Sequence, residues 1–273
     1  TAGLEAACTA AEVGCNTFLL EKGNELGGLA SLISKIPAKN RLADFPHYLM
    51  HRAEQLDNLY IFKNTEGAPE NIRKFHPNII VSSTGSAPLL PPIAGLKDRI
   101  DNENHNIYSI LGMISHINDF PKDLEGKKVV VVGGGAVGLD VVEFFADRNA
   151  DISIVEMMDQ IGRDLDPVSK NDTKTMMKKH NVHQLTKTAL LEVKDSSFLV
   201  RGDGEPYELP FEYGFVCLGM RAQGQLYQNL TEEFSSEDVE IMNIGDSQRA
   251  RRIIDGTQEG RNILTILEQK GYL

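Results

Sequence analysis

Residues 127–156 read KKVVVVGGGAVGLDVVEFFADRNADISIVE, and few folds accept that order. The β-branched run Val129, Val130, Val131, Val132 has no polar alternation, which predicts a parallel strand buried on both faces. It ends in Gly133-Gly134-Gly135-Ala136-Val137-Gly138, a G-x-G-x-x-G pattern. Val137, Val141, Phe144 and Phe145 then recur at helical spacing, and a second strand over 152–155 ends in Glu156. Each part has a physical job. Gly133 allows the tight turn, Gly135 lets the backbone approach a pyrophosphate, and Gly138 lets the helix pack close to the strand. The helix amino terminus, with unpaired N–H groups and the positive end of its dipole, takes phosphate charge. Glu156 stands where an acidic side chain accepts from the hydroxyls of an adenosine ribose and repels a 2′-phosphate. The next arginine is Arg163, so NADH is expected over NADPH.

The same order occurs a second time, in part. Thr1 to Ala7 run into a small-residue helix, a turn at Gly14, a strand over 17–20, and then Glu21-Lys22. Gly3 matches Gly138 and Glu21 matches Glu156, so a second dinucleotide unit is expected whose first strand and first two glycines are absent. A glycine pair, Gly27-Gly28, offers close backbone approach, and residues 37–45 read as a loop. A helix over 45–56 carries His47 and His51 at i, i+4, but no third ligand accompanies them and no metal site is expected. A strand over 59–62 follows. A buried strand then ends in Thr84-Gly85 and leads into a proline-rich crossing (Pro88, Pro91, Pro92). Residues 102–120 read as a loop and helix that lead to the central unit. Beyond it come a basic helix over 172–180, short strands, a hairpin at Gly202-Asp203-Gly204, and a strand over 211–218 that ends in Gly219. His180 and His183 read as solvated surface residues. A last strand delivers Gly245-Asp246, where an aspartate can accept from a ribityl hydroxyl, and a single helix is expected over 251–270. Arg249, Arg251 and Arg252 near its start read equally as cofactor contacts or as a solvated basic face.

Length and charge narrow the partners. At 273 residues the chain can bury two cores, and its 41% hydrophobic and 25% charged content suits a globular protein. A net charge of −11 without a basic block argues against nucleic acid. No apolar run is long enough to span a bilayer, so no membrane partner is expected. Cys8, Cys15 and Cys217 lie far from any C-x-x-C spacing, which excludes a disulfide framework or a cysteine-ligated cluster and suits a reducing cytoplasm.

Taken together, a half dinucleotide site, a strand ending Thr84-Gly85, a complete site and a strand ending Gly245-Asp246 resemble the two-domain flavoproteins related to the pyridine nucleotide–disulfide oxidoreductases. The phrases Leu4-Glu5-Ala6-Ala7, Val155-Glu156-Met157-Met158-Asp159-Gln160-Ile161-Gly162 and Asp255-Gly256-Thr257-Gln258-Glu259-Gly260 are similar to the C-terminal half of the NADH:flavin oxidoreductases. That family includes 2-enoate reductase, 2,4-dienoyl-CoA reductase and trimethylamine dehydrogenase. The resemblance implies an α/β fold with two Rossmann-like three-layer dinucleotide-binding domains, the second inserted into the first. FAD would be held by 1–108 and 226–273, and NADH by 109–225.

By the same resemblance Glu21 binds the FAD adenosine ribose, and Gly3, Gly27 and Gly28 line its phosphate and adenosine side. Thr84-Gly85 border the flavin and Gly245-Asp246 hold the ribityl chain. Gly133, Gly135, Gly138 and Glu156 bind NADH, and Lys22 and Gly219 are counted with the cofactor-binding residues. In such enzymes a preceding barrel carries FMN and a four-cysteine iron–sulfur cluster, and electrons pass from FAD through the cluster to an enoate-type substrate. This sequence has no barrel or cluster cysteines, so only the electron-entry half is expected of it. Hydride passes directly from nicotinamide to flavin, so no catalytic side chain is named. The alternative is a structural module that holds ADP or NAD without turnover, because trimethylamine dehydrogenase holds ADP in the equivalent place. The sequence sets no oligomeric state.

Overall fold

In the computed structural model, which describes residues 1–273, the chain divides into two units. The first comprises Thr1–Lys35, Lys39–Ala87 and Arg221–Leu273, and the second Ile36–Ala38 and Pro88–Met220. The chain opens with α1 (Ala2–Glu12), whose run of alanines favours helix, and β1 (Thr17–Leu20). Next come α2 (Gly28–Ile33), a 3-10 turn where a loop was expected (Pro37–Ala43), α3 (Asp44–Ala53) and β2 (Leu59–Phe62). After α4 (Pro69–Ile72) and β3 (Ile79–Ser82), β4 (Ser86–Pro88) leads the chain out of the first unit.

The second unit contains α5 (Leu96–Arg99), β5 (Ile107–Tyr108), α6 (Ile110–Ser115), β6 (Lys128–Val132), α7 (Ala136–Ala146), β7 (Asp151–Val155), α8 (Pro167–Lys179) and β8 (His183–Leu185). It continues with β9 (Ala189–Val193), β10 (Ser197–Arg201), β11 (Tyr207–Pro210) and β12 (Tyr213–Val216). β13 (Met220–Ala222) returns the chain to the first unit, which closes with α9 (Gln225–Glu233), β14 (Glu240–Asn243), α10 (Ile253–Arg261) and α11 (Ile263–Gln269).

Five strands of the second unit form a parallel sheet in the order β5-β12-β6-β7-β8. β6 lies at its centre, and Val129, Val130, Val131 and Val132 are all buried. One face of the sheet is covered by aromatic residues around α7, where Phe120, Phe145 and Phe215 meet with ring centroids 4.8–6.1 Å apart. The antiparallel sheet β11-β10-β9 supplies the other layer: Phe198 and Val200 pack with Val130, Val132, Val155 and Val216. α8 starts sharply because Asp166 caps it, accepting from the N–H groups of Val168 and Ser169, with Pro167 at the first helical position.

In the first unit the strands form two parallel pairs, β1-β2 and β14-β3. α1 packs on both. Ala7, Cys8 and Ala11 meet Leu19, Leu59 and Ile61 on one pair, and Ala2 and Ala6 meet Val81, Met242 and Ile244 at the other. The buried Glu5 of α1 is held by Arg52 from α3, 3.0 Å to each carboxylate oxygen, and by Arg261 from α10.

The α/β class and its parallel sheets agree with the sequence reading, with three local differences. The units part after Ala87, not near residue 108, because Leu96 and Ile100 pack with Val193 and Phe198 in the second core; the return falls at Met220/Arg221, not at 225. Residues 102–120 include a two-residue strand, β5, which pairs with Gly214 and Phe215. The closing helix breaks at Asn262, which serves as C-cap of α10 and N-cap of α11, and α10 begins at Ile253.

Candidate functional site

The β6–α7 turn shows why its glycines are spaced as they are. Gly133 has φ +110°, and a Cβ there would stand 2.1 Å from the Cys217 carbonyl oxygen. A Cβ at Gly138 would stand 1.9 Å from the Gly133 carbonyl oxygen. Both positions are therefore fixed by the chain's own packing. Gly135 is different: a Cβ would meet nothing within 4 Å, and its backbone is extended. It is the N-cap of the eleven-residue α7, and no side chain accepts from the first-turn N–H groups. An open, exposed glycine before a helix amino terminus with unclaimed donors is the arrangement that receives a pyrophosphate.

Glu156 leaves β7 half-buried and clamped. Its Oε2 accepts from Gly134 N at 2.7 Å and its Oε1 from Met158 N at 2.7 Å. The Gly162 N–H also donates to the Gly134 carbonyl at 2.7 Å, which ties the segment after Glu156 back to the glycine turn. Each carboxylate oxygen has a further lone pair. Glu156 is thus a fixed negative acceptor beside the turn, able to receive ribose hydroxyls and set against a 2′-phosphate.

The first unit repeats the part of this arrangement that follows the acidic strand end. Glu21 Oε1 accepts from Gly23 N at 2.7 Å, as Glu156 does from Met158. Glu21 N donates to Phe62 O, Thr65 N to Glu21 O and Asn64 N to Gly23 O. Their counterparts are Glu156 N to Leu185 O, Thr188 N to Glu156 O and Lys187 N to Met158 O, and all six distances are 2.9 Å. Asn64 and Lys187 share the left-handed conformation, φ 52° and 51°. A Cβ at Gly3 would stand 2.2 Å from Ser83 Oγ, just as Gly138 faces Cys217. At the ends of β3 and β12, Gly85 and Gly219 both have positive φ, and their carbonyls accept from Gln223 and Leu89.

The remaining predicted residues of the first unit fall at its strand and helix ends. Thr84 Oγ1 donates to the Gln223 carbonyl. Gly27 is the N-cap of α2 and Gly28 its first residue. Lys22 makes an exposed ion pair with Glu66 at 3.2 Å. Gly245 N donates to Glu259. Asp246 is half-buried: Oδ2 accepts from Ser86 Oγ at 3.1 Å and Oδ1 from Arg251 N at 3.0 Å.

Arg251 pairs with Glu259, and Arg252 with Asp255 in a capping box, so both side chains are tied to α10. His51 and His183 make exposed contacts to Glu54 and Asp151. The backbone clamps on Glu156 and Glu21 and the hydroxyl of Ser86 escape sequence reading, because N–H donors carry no residue signature and a lone serine has no pattern. Cys217, beside Gly133, is buried, and burial pushes its thiol up to about 12. A neutral thiol lines the turn.

Parallel sheets, glycine-bounded helix amino termini and acidic strand ends in both units define an α/β dinucleotide-binding protein. The sequence model of the pyridine nucleotide-disulphide oxidoreductases matches residues 1–241, and the chain belongs to that family. An NADH oxidase of Thermoanaerobacter brockii is 26% identical over 260 residues, 95% of this chain and 38% of that protein. The chain thus spans about two-fifths of that relative. Among solved structures, a 2-naphthoyl-CoA reductase superposes with a TM-score of 0.81 at 22% identity, covering 96% of this chain and 38% of that one. The thioredoxin reductase of T. acidophilum superposes at 0.70 with 16% identity, covering 100% and 96%. At these identities the likeness is one of fold. Family membership makes the chain an oxidoreductase domain with FAD and NAD(H) as its cofactors. No helix is long and apolar enough to cross a membrane.

Proposed function

We propose that the chain is the electron-entry module of an NADH-dependent flavin oxidoreductase, the second unit, with Pro88–Met220, holding NADH and the first, with Lys39–Ala87 and Arg221–Leu273, holding FAD. The observation that carries the reading is the Gly135 turn with its clamped Glu156, an open cradle for a pyrophosphate beside a fixed ribose acceptor. When bound, NADH supplies a hydride and FAD accepts it. The residues bind and orient. The N–H groups of Ala136, Val137 and Gly138 face phosphate charge, Glu156 receives ribose hydroxyls, and Gly133 and Gly138 hold the turn tight. In the first unit Glu21 takes the adenosine ribose of FAD, flanked by Gly3, Lys22, Gly27 and Gly28, and Asp246 the ribityl chain, with Thr84-Gly85 and Gly219 at the ends of β3 and β12. A preceding FMN and iron–sulfur barrel as onward acceptor, and a cytoplasmic setting, belong to the same proposal.

The test is to incubate the protein with FAD, desalt it, record the visible spectrum and add NADH without oxygen. Flavin bands that survive desalting and bleach with NADH are the expected result. A colourless protein that still binds NAD or ADP by calorimetry would support instead a nucleotide-binding module without turnover.

A further inference from the structure

Glu259 reaches back to the loop that precedes its own helix. That loop, 244–252, links β14 to α10 and carries Asp246. α10 runs against it: a Cβ at Gly256 would stand 3.3 Å from the Gly245 Cα, and Glu259, three residues on, lies on the same helix face. One carboxylate then holds both ends of the loop. Glu259 Oε2 accepts from Gly245 N at 2.7 Å, and Oε1 accepts from Arg251 Nη2. The Arg251 and Glu259 side chains are only 30% and 25% exposed, so the pair is largely withdrawn from water.

Asp246 lies between those ends. It accepts from the buried Ser86 hydroxyl and from the backbone N–H of Arg251. Both donors are neutral, and the carboxylate keeps further lone pairs for another partner. The guanidinium of the same Arg251 is turned elsewhere, with Nη2 on Glu259 and Nε on the Arg249 carbonyl at 3.3 Å. Its proton is held more firmly than an ordinary arginine's, first by the Glu259 hydrogen bond and then by the charges of Glu259, Asp255 and Asp246. Asp255 is already engaged, accepting from N and Nε of Arg252. A released Arg251 would therefore turn to Asp246.

We propose that Glu259 is a positioning residue for the flavin site: it keeps the Arg251 guanidinium off Asp246, so that the Asp246 carboxylate stays open to the hydroxyls of the FAD ribityl chain. The inference deepens the proposed function and rests on its reading of Asp246. A ribityl hydroxyl is a neutral donor, and a guanidinium bonds a carboxylate roughly twice as strongly as a neutral pair does, so the cation would win if it were free. Glu259 removes that competitor and, through Gly245 N, fixes the start of the loop. Arg251 is then neither a cofactor contact nor a solvated base but a cation held out of the site.

Glu259→Gln separates the two bonds. The glutamine carbonyl still accepts from Gly245 N, while its NH2 meets Arg251 donor to donor and releases the guanidinium. The full chain is titrated with FAD by flavin fluorescence as the parent, Glu259→Gln, Arg251→Ala and the double variant, and Glu259→Gln is also crystallised without cofactor. FAD binding is expected to weaken about tenfold or more in Glu259→Gln and to stay within about threefold of the parent in Arg251→Ala and in the double variant. The crystal should show the Arg251 guanidinium hydrogen-bonded to Asp246. The proposal is overturned if Glu259→Gln binds FAD as the parent does, or if Arg251 stays away from Asp246 in the crystal. A loss that persists in the double variant also overturns it, since Glu259 would then only brace the loop. So does a loss in Arg251→Ala alone, which would make Arg251 a cofactor contact. A parent chain that binds no FAD counts against the proposed function instead, and the position of Arg251 in the cofactor-free Glu259→Gln crystal then decides this inference by itself.

Discussion

Two glycines three residues apart in one turn are predicted to respond to alanine in opposite ways. At Gly138 the new Cβ would stand 1.9 Å from the Gly133 carbonyl oxygen and 3.5 Å from the Cys217 Cβ, so either the turn or the helix must shift. Overpacking of this kind costs about 1–3 kcal/mol, and a backbone obstacle puts it near about 3. Reduced freedom of the unfolded chain returns about 0.4–1 kcal/mol. The net loss is about 2 kcal/mol, a fall in melting temperature of roughly 4–8 °C for a chain of this size. At Gly135 the new Cβ meets nothing, and the backbone is extended, which any residue adopts. Alanine is a poorer N-cap by about 0.5–1 kcal/mol, and the unfolded-state gain offsets most of it, so stability is unchanged to within about 0.5 kcal/mol. The pyrophosphate cradle is filled, however, and NADH affinity should drop tenfold or more. Thermal denaturation and calorimetric titration of both variants check this. If Gly135→Ala binds NADH as the parent does, or Gly138→Ala melts at the parental temperature, the assignment of packing to one glycine and ligand approach to the other is wrong.

Three further outcomes are expected. Glu156→Gln removes the fixed charge beside the ribose, and the ratio of NADH to NADPH affinity should fall about tenfold or more, measured by titration with each nucleotide. Glu5→Ala leaves Arg52 without its buried partner; because Arg52 keeps Glu12 and Arg261 is 62% exposed, the loss should sit near the low end of the range for a broken buried pair, about 3 kcal/mol by urea denaturation. Burial raises the Cys217 thiol from 9.0 to about 12, so its contribution is fully present below about pH 9 and is lost as pH climbs toward about 12. Cys217→Ala should therefore lose stability relative to the parent at neutral pH and close the gap by about 1.4 kcal/mol per pH unit above about pH 9, read from melting curves across that window.

The features legible in the sequence are those whose cause is local. A buried parallel strand writes itself as Val129–Val132, and Gly133 and Gly138 are required by clashes within a single turn. The partial repeat was legible because Gly3 and Glu21 keep the spacing of Gly138 and Glu156, and the matching hydrogen bonds bear it out. Where tertiary packing decides, the sequence misleads. The proline-rich crossing reads as the edge of the first unit up to residue 108, yet Leu96 and Ile100 are buried in the second core. β5 is two residues long and exists only because β12 offers an edge. The helix break at Asn262 follows Gly260, where α10 runs so close to α1 that a Cβ would stand 2.6 Å from the Ala2 carbonyl oxygen. The clamps on Glu156 and Glu21 are built from backbone N–H groups, which every residue carries.

The most direct measurement of the central claim is the rate of anaerobic flavin bleaching with NADH deuterated at the transferring C4 position, compared with ordinary NADH. Direct hydride transfer predicts a several-fold slower bleaching with the deuterated donor and no loss of label to solvent. A protein that binds both nucleotides but shows no bleaching, or bleaching indifferent to the deuterium under conditions where the transfer itself limits the rate, would contradict the assignment of this chain as an electron-entry module.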